Sequence, residues 1–401
     1  MVCTVMNYIY NSKWYLKLTQ NDKVNIGELL YFIAFILLLT SAMLSTTMFN
    51  PYLSGTFKQL VRYSSVGLLL LKIFIFDRRS IKELSLIILI EALAVVIWKV
   101  SGYSALVDDV LLIVAAKGID LKKIVKIYLG IVVSITIIAI IAVKLGWIEH
   151  IIYVRDGKNR YAFGSVYCTD FAAHIFYAIT AYCYIKGEKI KYYAILIFAL
   201  LGGFVYYYCD ARLDTICIEA LALFMLVYKF IIRYSGGKHS SSKVSIWSRV
   251  WNWMLILSVP AAALISIITT MLYNPENAAM KQINKLLTNR LKYGKMGIDQ
   301  YGFKIFGQHV TMSGNGGTNE AVKDYFFIDN SFVSIALRFG IIAILAICIY
   351  YVCTSYRLIK NKNKLLVYLI VFIAINSIVA HHFIEIAYNP FLVCLFADLD
   401  S

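Results

Sequence analysis

The sequence has few charged residues and few prolines for its length. Of its 401 residues, 15% are Asp, Glu, Lys or Arg, and 4 are proline. Soluble domains average about 25% charged residues, so the low value excludes an ordinary soluble protein. The mean hydropathy is +0.72 and 60% of the residues are hydrophobic. Apolar stretches of membrane length recur and short alternating strand patterns are missing, so the sequence predicts an all-α polytopic membrane protein.

Signatures of several other protein classes are also missing. The 8 cysteines form no CxxC pair, and most lie inside apolar runs, which indicates packing rather than metal binding. There is no GxxxxGK[ST] segment and no internal repeat, which argues against a nucleotide site and against an inverted-repeat transporter. The net charge of +16 is spread over many loops, so nucleic acid is not a predicted partner. We expect no cofactor and infer that the substrate supplies the energy of any reaction.

Twelve apolar segments lie near the ~20 residues that cross a bilayer. They are residues 27–47, 57–76, 82–99, 102–117, 127–147, 166–186, 191–209, 213–233, 251–273, 329–354, 364–381 and 383–400. The amino terminus and every second loop together hold 22 of the 39 Lys and Arg residues, which predicts that both termini are cytoplasmic. We expect a single integral membrane domain, residues 1–401, with one large extracytoplasmic loop at 274–328 between spans nine and ten.

Two arginines are placed by this topology at the outer face. Arg160 belongs to a basic turn before span six, and Arg212 follows span seven between Asp210 and Asp214. A guanidinium group binds phosphate through two parallel hydrogen bonds. The simpler interpretations are a solvated turn for Arg160 and an interfacial anchor for Arg212. The flanking acids favour a functional role for Arg212.

Polar residues inside the apolar segments form two further groups. Asp170 and His174 are spaced i, i+4 in span six, either as a substrate-facing group or as a satisfied polar pair within the bundle. His381 and His382, with Glu385, offer three metal ligands at the outer end of span eleven. Because that set is incomplete, we predict hydrogen bonding to a substrate and no metal site.

The long loop begins with a helix signal at residues 274–276, where Asn, Pro and Glu suit the cap and first turn. This amphipathic helix carries Arg290 and is expected to end at Gly294. Asp329 then opens span ten, either as an ordinary first-turn acid or as a general base. Arg338 lies ~13 Å further along that helix on another face, so a pair with Asp329 is not expected. The Asp108-Asp109 pair of span four is its candidate partner.

The chain resembles the Wzy-type polysaccharide polymerases of capsule and exopolysaccharide systems, within the O-antigen polymerase and ligase superfamily. The likeness covers most of the chain and lies in the order of short motifs: Arg160-Tyr161-Ala162-Phe163-Gly164, Arg212 at a helix mouth, Arg290 before Ile305-Phe306-Gly307, and Asp329-Asn330-Ser331-Phe332 before Phe339-Gly340-Ile341-Ile342. The chain departs from the family in two places. Family members often carry His where Asp329 stands, and His-Pro-Asn where this chain has Cys168-Thr169-Asp170.

The resemblance implies a GT-C-like helical fold and an inverting, metal-independent glycosyltransferase. Such an enzyme polymerises undecaprenyl-diphosphate-linked repeat units at the outer face of the bacterial cytoplasmic membrane, among membrane lipid, with a flippase and a chain-length regulator as candidate partners. The implied catalytic residues are Asp329, Arg212 and Arg290. The implied substrate-binding residues are Arg160, Asp170, His174, Arg338, His381 and His382.

In this interpretation the arginines neutralise the departing diphosphate, and Asp329 accepts the proton of the attacking hydroxyl. Replacing Arg212 by Lys is then expected to remove most activity, because the fork is lost while the charge stays. Two alternatives remain open from the sequence. One is a lipid-linked oligosaccharide flippase or other transporter, and the other is an O-antigen-ligase-like transferase of the same superfamily.

Overall fold

The computed structural model describes residues 18–234, 246–318 and 323–399. The amino-terminal residues 1–17 and part of a predicted basic cytoplasmic loop, residues 235–245, lie outside the described residues. The helices are α1 (Gln20–Ser45), α2 (Gly55–Leu71), α3 (Ile81–Ser101), α4 (Ala105–Ala115), α5 (Leu121–Lys144), α6 (Cys168–Lys186), α7 (Tyr192–Phe204), α8 (Arg212–Tyr234), α9 (Ile246–Ile256), α10 (Ser258–Met271), α11 (Ala278–Leu286), α12 (Arg290–Tyr301), α13 (Ser331–Arg338), α14 (Gly340–Lys360) and α15 (Lys364–Ser377).

Six helices of the described residues are long and apolar enough to cross a membrane. They are α1, α2 with its π-helical end at Phe76, α3, α5, α7 with its π-helical end at Cys209, and α14. A seventh is obtained if α9 and α10, which are bent by 57° at their junction, are counted as one span. The fold is therefore that of a mostly helical, polytopic protein, as the hydropathy of the sequence predicts.

Helix boundaries follow local capping signals. Ser80 and Glu83 form a capping box at the start of α3, and Gly102 ends that helix in the left-handed conformation with φ 80°. The expectation for the long loop was wrong at both helix ends. Asn277, and not Asn274, is the N-cap of the first helix, α11. Thr288 and Asn289 adopt positive φ and separate α11 from α12, whereas Gly294 lies inside α12 against the side chain of Thr270.

Residues 329–354, the expected tenth span, do not form one helix. They form two, α13 and the first part of α14. The chain breaks between α13 and α14, where Gly340 has φ +88°, and the segment 304–308 packs against this break. The Gln308 amide donates to the Arg338 carbonyl at 3.0 Å, and the Ile341 amide donates to the Lys304 carbonyl at 3.0 Å. These bonds satisfy backbone groups that the break would otherwise leave without partners.

The expected last span, residues 383–400, is not a helix in its described part. It contains one 3-10 turn, Pro390–Val393, and is otherwise irregular and mostly buried. Side chains of neighbouring helices satisfy its carbonyls: the Tyr128 hydroxyl donates to Tyr388 O, and Arg357 Nη1 donates to Leu395 O at 2.5 Å. Irregular backbone at membrane depth is tolerated where protein surrounds it or where it lines a water-filled cavity.

Among the described residues, a two-stranded antiparallel hairpin departs from the all-α prediction; it consists of β1 (Ile152–Arg155) and β2 (Lys158–Tyr161). Tyr153 pairs with Arg160 across it. The hairpin connects α5 to α6. The loop that follows it is fixed to the end of α1, because the Met48 amide donates to Gly164 O at 2.8 Å and the Val166 amide donates to Thr46 O at 2.9 Å.

Candidate functional site

A polar cavity of 280 Å³ lies where the hairpin, the start of α6, the 274–328 loop and the segment after α15 meet. Its charged and polar lining includes Arg155, Arg160, Thr288, Arg290, Asp329 and His381. Four of these residues, Arg160, Arg290, Asp329 and His381, are among those that the sequence singled out as site residues. The fold brings them together although Arg160 and His381 are more than two hundred residues apart along the chain.

Arg290 and Asp329 face each other in this cavity. Arg290 Nη2 lies 3.6 Å from Asp329 Oδ2. The break at Thr288 and Asn289 places Arg290 at the first position of α12, and its guanidinium also donates to Val379 O, to Leu287 O at 3.3 Å and to the Thr288 hydroxyl. The arginine side chain is 12% exposed and is held from several sides, so its position is set before any ligand arrives.

The sequence suggested that Asp329 lies in the first turn of a helix. In the structure it lies before that helix. Asn330 is the N-cap of α13: its side chain accepts from the Val333 amide at 3.2 Å and donates to the Ser266 hydroxyl at 2.5 Å. Asp329 precedes this cap, and its side chain is 27% exposed toward the cavity. The usual stabilisation of a first-turn acid by the helix dipole is therefore not the reason for an acid at this position.

The hairpin arginines are held by the turn between α7 and α8. Arg155 forms an ion pair with Asp210 and donates to its carbonyl at 2.7 Å, and Arg160 Nε donates to Cys209 O at 2.9 Å. Burial lowers the pKa of Arg160. Among the described residues, no carboxylate oxygen lies within 4.0 Å of the Arg160 guanidinium, so its charge is available to an anionic ligand.

Arg212 is not part of the cavity lining. Its Nε donates to Asp210 Oδ1 at 2.9 Å, and its side chain is 47% exposed. Asp210 therefore bridges Arg212 to Arg155, which does line the cavity. Burial opposes ionisation of Asp210, but hydrogen bonds from Arg212 and Arg155 outweigh it and hold the pKa of Asp210 below its usual range. Arg212 is thus placed one ion pair away from the cavity.

Beneath the cavity lies a buried group of aromatic and acidic side chains. His382 Nε2 lies 3.8 Å from Asp170 Oδ1. His174 does not pair with Asp170: its Nε2 lies 2.9 Å from the Thr46 hydroxyl, and its ring stacks on Tyr388 with centroids 4.4 Å apart. The His382 ring stacks on the same tyrosine, at 3.7 Å. Asp170 and His174 are therefore separate members of one buried network.

Arg338 lines a second, smaller cavity of 40 Å³ and does not reach Asp329, as expected. Its guanidinium lies over the Tyr103 ring at 3.8 Å. Its candidate partners from the sequence were Asp108 and Asp109. Asp109 lines the same small cavity, whereas Asp108 pairs with Arg62 at 2.6 Å. His381 lines both cavities, so the two spaces adjoin at this histidine.

Uncharged residues of the site were missed by sequence reasoning. Tyr325 and Thr288 line the polar cavity, and no motif distinguishes them from other loop residues. Burial, with the Asp329 carboxylate as a second cause, raises the pKa of Tyr325, so its phenol is a neutral hydrogen-bond donor at physiological pH. Tyr167 also lines the cavity, and its hydroxyl accepts from the Gly316 amide at 2.8 Å.

The chain matches no protein-family model, and no curated protein or solved structure that we compared with it matches significantly. The geometry of the polar cavity is the basis for a functional proposal. Its three arginines suit a multiply charged anion, and one carboxylate, that of Asp329, lines the same cavity.

Proposed function

We propose that the protein is a membrane glycosyltransferase that joins oligosaccharide units carried on a lipid diphosphate, as a polysaccharide polymerase does. The observation that carries the proposal is that Arg160, Arg290 and Asp329 line one cavity at one end of an apolar helix bundle. Two guanidinium groups suit a diphosphate, and an adjacent carboxylate suits the activation of a sugar hydroxyl.

The reaction that fits this arrangement is an inverting displacement. A hydroxyl oxygen of the acceptor sugar attacks the anomeric carbon of the donor, and the bond between that carbon and the phosphate oxygen breaks. The electron pair leaves with the lipid diphosphate, whose developing charge is stabilised by Arg160 and Arg290. Asp329 takes the proton of the attacking hydroxyl. The donor supplies the energy, so no nucleotide is required.

A twelve-crossing topology is part of the proposal, with both termini on the cytoplasmic side of a bacterial cytoplasmic membrane and the polar cavity on the outer side. The irregular carboxyl-terminal segment would be the last crossing. Two contacts support this: Ala380 O accepts from the Ser331 hydroxyl near the cavity, and the Asp398 amide donates to Ile119 O, next to the start of α5. The segment between them, residues 381–397, therefore extends along the bundle.

The lipid part of the substrate has a place to bind in this proposal. An apolar cavity of 410 Å³ lies between α5, α6 and α7 and is lined by residues such as Ile137, Phe171 and Leu201. Helix α6 belongs to both cavities, because Thr169 lines the polar one and Phe171 the apolar one. A polyprenyl chain in the apolar cavity would leave its diphosphate near the arginines.

The test is reconstitution of the full chain in vesicles with a synthetic lipid-diphosphate repeat unit and no added nucleotide. We expect a ladder of products that carry two or more repeat units. Arg160→Gln and Asp329→Asn should each strongly slow formation of the ladder. Lys295→Gln is the matched control, because Lys295 lies on α12 but pairs with the exposed Asp299 outside the cavity.

Two results would contradict the proposal. One is that the repeat units are not joined while the lipid that carries them crosses the vesicle membrane, which would favour the flippase. The other is transfer of a preformed polymer to a different acceptor without any repeat-unit ladder, which would favour the ligase.

A further inference from the structure

We propose that Asp170, His381 and His382 form a binding site for one divalent transition-metal ion, with Zn²⁺ preferred, at the base of the polar cavity. The sequence showed the two histidines and Glu385 but no complete ligand set. The fold adds Asp170 from α6, more than two hundred residues earlier in the chain. One ligand atom from each of the three residues can be chosen so that all lie within 4.8 Å of one another.

The spacing of two of these atoms, on His382 and Asp170, is close to that of ligands on a shared ion. Zn²⁺ binds His nitrogen and carboxylate oxygen at about 2.0–2.2 Å, so two ligands of a tetrahedral site lie roughly 3.4 Å apart. His382 Nε2 and Asp170 Oδ1 are separated by 3.8 Å, too long for a hydrogen bond. A movement of a few tenths of an ångström by each side chain would bring both atoms onto one ion.

An independent observation comes from the other nitrogen of His382. The His382 side chain is 2% exposed, and its Nδ1 has no hydrogen-bond partner among the described residues. Glu385 Oε2 lies 3.5 Å from this nitrogen. Histidines that bind a metal through one nitrogen commonly donate the other N–H to a carboxylate, which fixes the tautomer and the ring orientation. A metal on Nε2 would give both nitrogens of this buried ring a partner.

Charge also favours a cation at this position. Asp170 is 6% exposed. Among the described residues no Lys or Arg nitrogen lies within 4.0 Å of the carboxylate of Asp170 or of Glu385. Buried carboxylates are usually paired or bound to a metal, because desolvating an isolated negative charge is costly. A divalent ion would supply the missing positive charge between them.

The ligand chemistry indicates the class of metal. Two imidazoles and one carboxylate suit Zn²⁺, Co²⁺ or Ni²⁺, whereas Mg²⁺ and Ca²⁺ prefer oxygen ligands. Three protein ligands leave a fourth position for water. The His381 side chain is 24% exposed and lines the polar cavity, so the cavity provides the entry path. The ion would join α6 to the start of the irregular carboxyl-terminal segment, independently of the proposed glycosyl transfer.

The experiment measures metal binding by the full chain in detergent after removal of bound metal with a chelator. Titration with Co²⁺ should give saturable visible absorption of a four- or five-coordinate ion, which an equal amount of Zn²⁺ displaces. Asp170→Asn and His382→Gln should each weaken binding at least ~10-fold, and Glu385→Gln on the order of 10- to 100-fold. His309→Gln is the control, because His309 contacts Ser101 O and lies outside the cluster.

Absence of saturable Co²⁺ absorption in the wild-type chain would overturn the proposal, whether or not the variants fold. Equal affinity in the wild type and in a folded Asp170→Asn, His382→Gln double variant would also overturn it. Repeat-unit transfer is assayed separately on the same preparations, so failure of the metal site and failure of the proposed glycosyl transfer are distinguishable.

Discussion

The backbones of Gly307 and Gly340 pass so close to each other that neither residue has space for a side chain. A Cβ at Gly340 would overlap the Gly307 nitrogen and the Ile305 oxygen, and a Cβ at Gly307 would overlap the Arg338 carbonyl. Both glycines have positive φ, +81° and +88°. This crossing fixes the 274–328 loop to the break between α13 and α14, and only the N-cap Asn330 separates Asp329 from α13.

Substitution at this crossing should destabilise the protein. We expect Gly340→Ala to lower the free energy of unfolding by at least ~2 kcal/mol, because the left-handed conformation and the backbone overlap both disfavour a Cβ. Thermal unfolding in detergent measures the effect. Gly203→Ala is the control, since Gly203 lies in α7 with nothing within 4 Å of its added Cβ. Equal melting temperatures for Gly340→Ala and the wild type would contradict the prediction.

Hydropathy was sufficient to predict the long apolar helices, because it depends on residues near one another in the chain. The break between α13 and α14 was not predictable in the same way. It is stabilised by hydrogen bonds from residues 304–308, some thirty positions earlier, and residues 329–354 read as one apolar run. The irregular carboxyl-terminal segment was missed for a related reason, since Tyr128 and Arg357 on other helices satisfy its carbonyls.

The candidate site was partly predictable because charged side chains are rare in this chain and are therefore easy to notice. Arg160, Arg290 and Asp329 were selected in this way and share a cavity. The neighbourhood of Asp170 and His382 could not be read from spacing, because their contact joins α6 to a segment two hundred residues later. Arg212 was selected for its flanking acids, and one of these, Asp210, is the residue that holds it outside the cavity lining.

Removal of the Asp329 carboxylate should slow the transfer step without weakening the binding of the lipid diphosphate. We expect Asp329→Asn to lower the rate of repeat-unit transfer by about 10²- to 10⁴-fold, the usual contribution of a general base, while affinity for the lipid diphosphate is retained. Product ladders and binding of a labelled lipid diphosphate are measured on the same vesicles. Asp299→Asn is the control, because Asp299 is exposed on α12. Activity of Asp329→Asn within a few-fold of wild type would exclude a base role for this residue.

Arginine-to-lysine substitutions should reduce the transfer rate more at Arg160, which lines the cavity, than at Arg212, which does not. Arg160→Lys keeps the charge but loses the fork, so we expect transfer to fall on the order of 10- to 100-fold, the value of one charge-assisted hydrogen bond or more. Arg212→Lys should lose less, contrary to the expectation from the sequence, because Arg212 contacts Asp210 and not the cavity. Transfer rates of the two variants in the reconstituted assay decide the matter. A larger loss of transfer rate in Arg212→Lys than in Arg160→Lys would support the catalytic role that the resemblance implies for Arg212.

Acid should weaken the contact between the hairpin and the turn after α7. The pKa of Asp210 is lower in the folded chain than in the unfolded chain, because Arg212 and Arg155 hydrogen bonds outweigh burial. Its carboxylate therefore stabilises the fold above its unfolded pKa, about 3.9, and this contribution is lost as the pH falls through the folded pKa. We expect Asp210→Asn to melt below the wild type at pH 7, and the difference to shrink below pH 4. Glu276→Gln, an exposed acid, should show no such convergence.

The irregular carboxyl-terminal segment should depend on single side-chain donors. The buried Tyr128 hydroxyl donates to the Tyr388 carbonyl, and the same carbonyl has no helical partner because residues 383–389 form no regular structure. Tyr128→Phe leaves this buried carbonyl without its donor, which costs about 1–3 kcal/mol. Thermal unfolding should report that loss, whereas Tyr207→Phe, at a 76% exposed position, should melt like the wild type. If Tyr128→Phe melts like the wild type as well, the segment is held by its apolar packing alone, and its carbonyl bonds to α5 do not stabilise it.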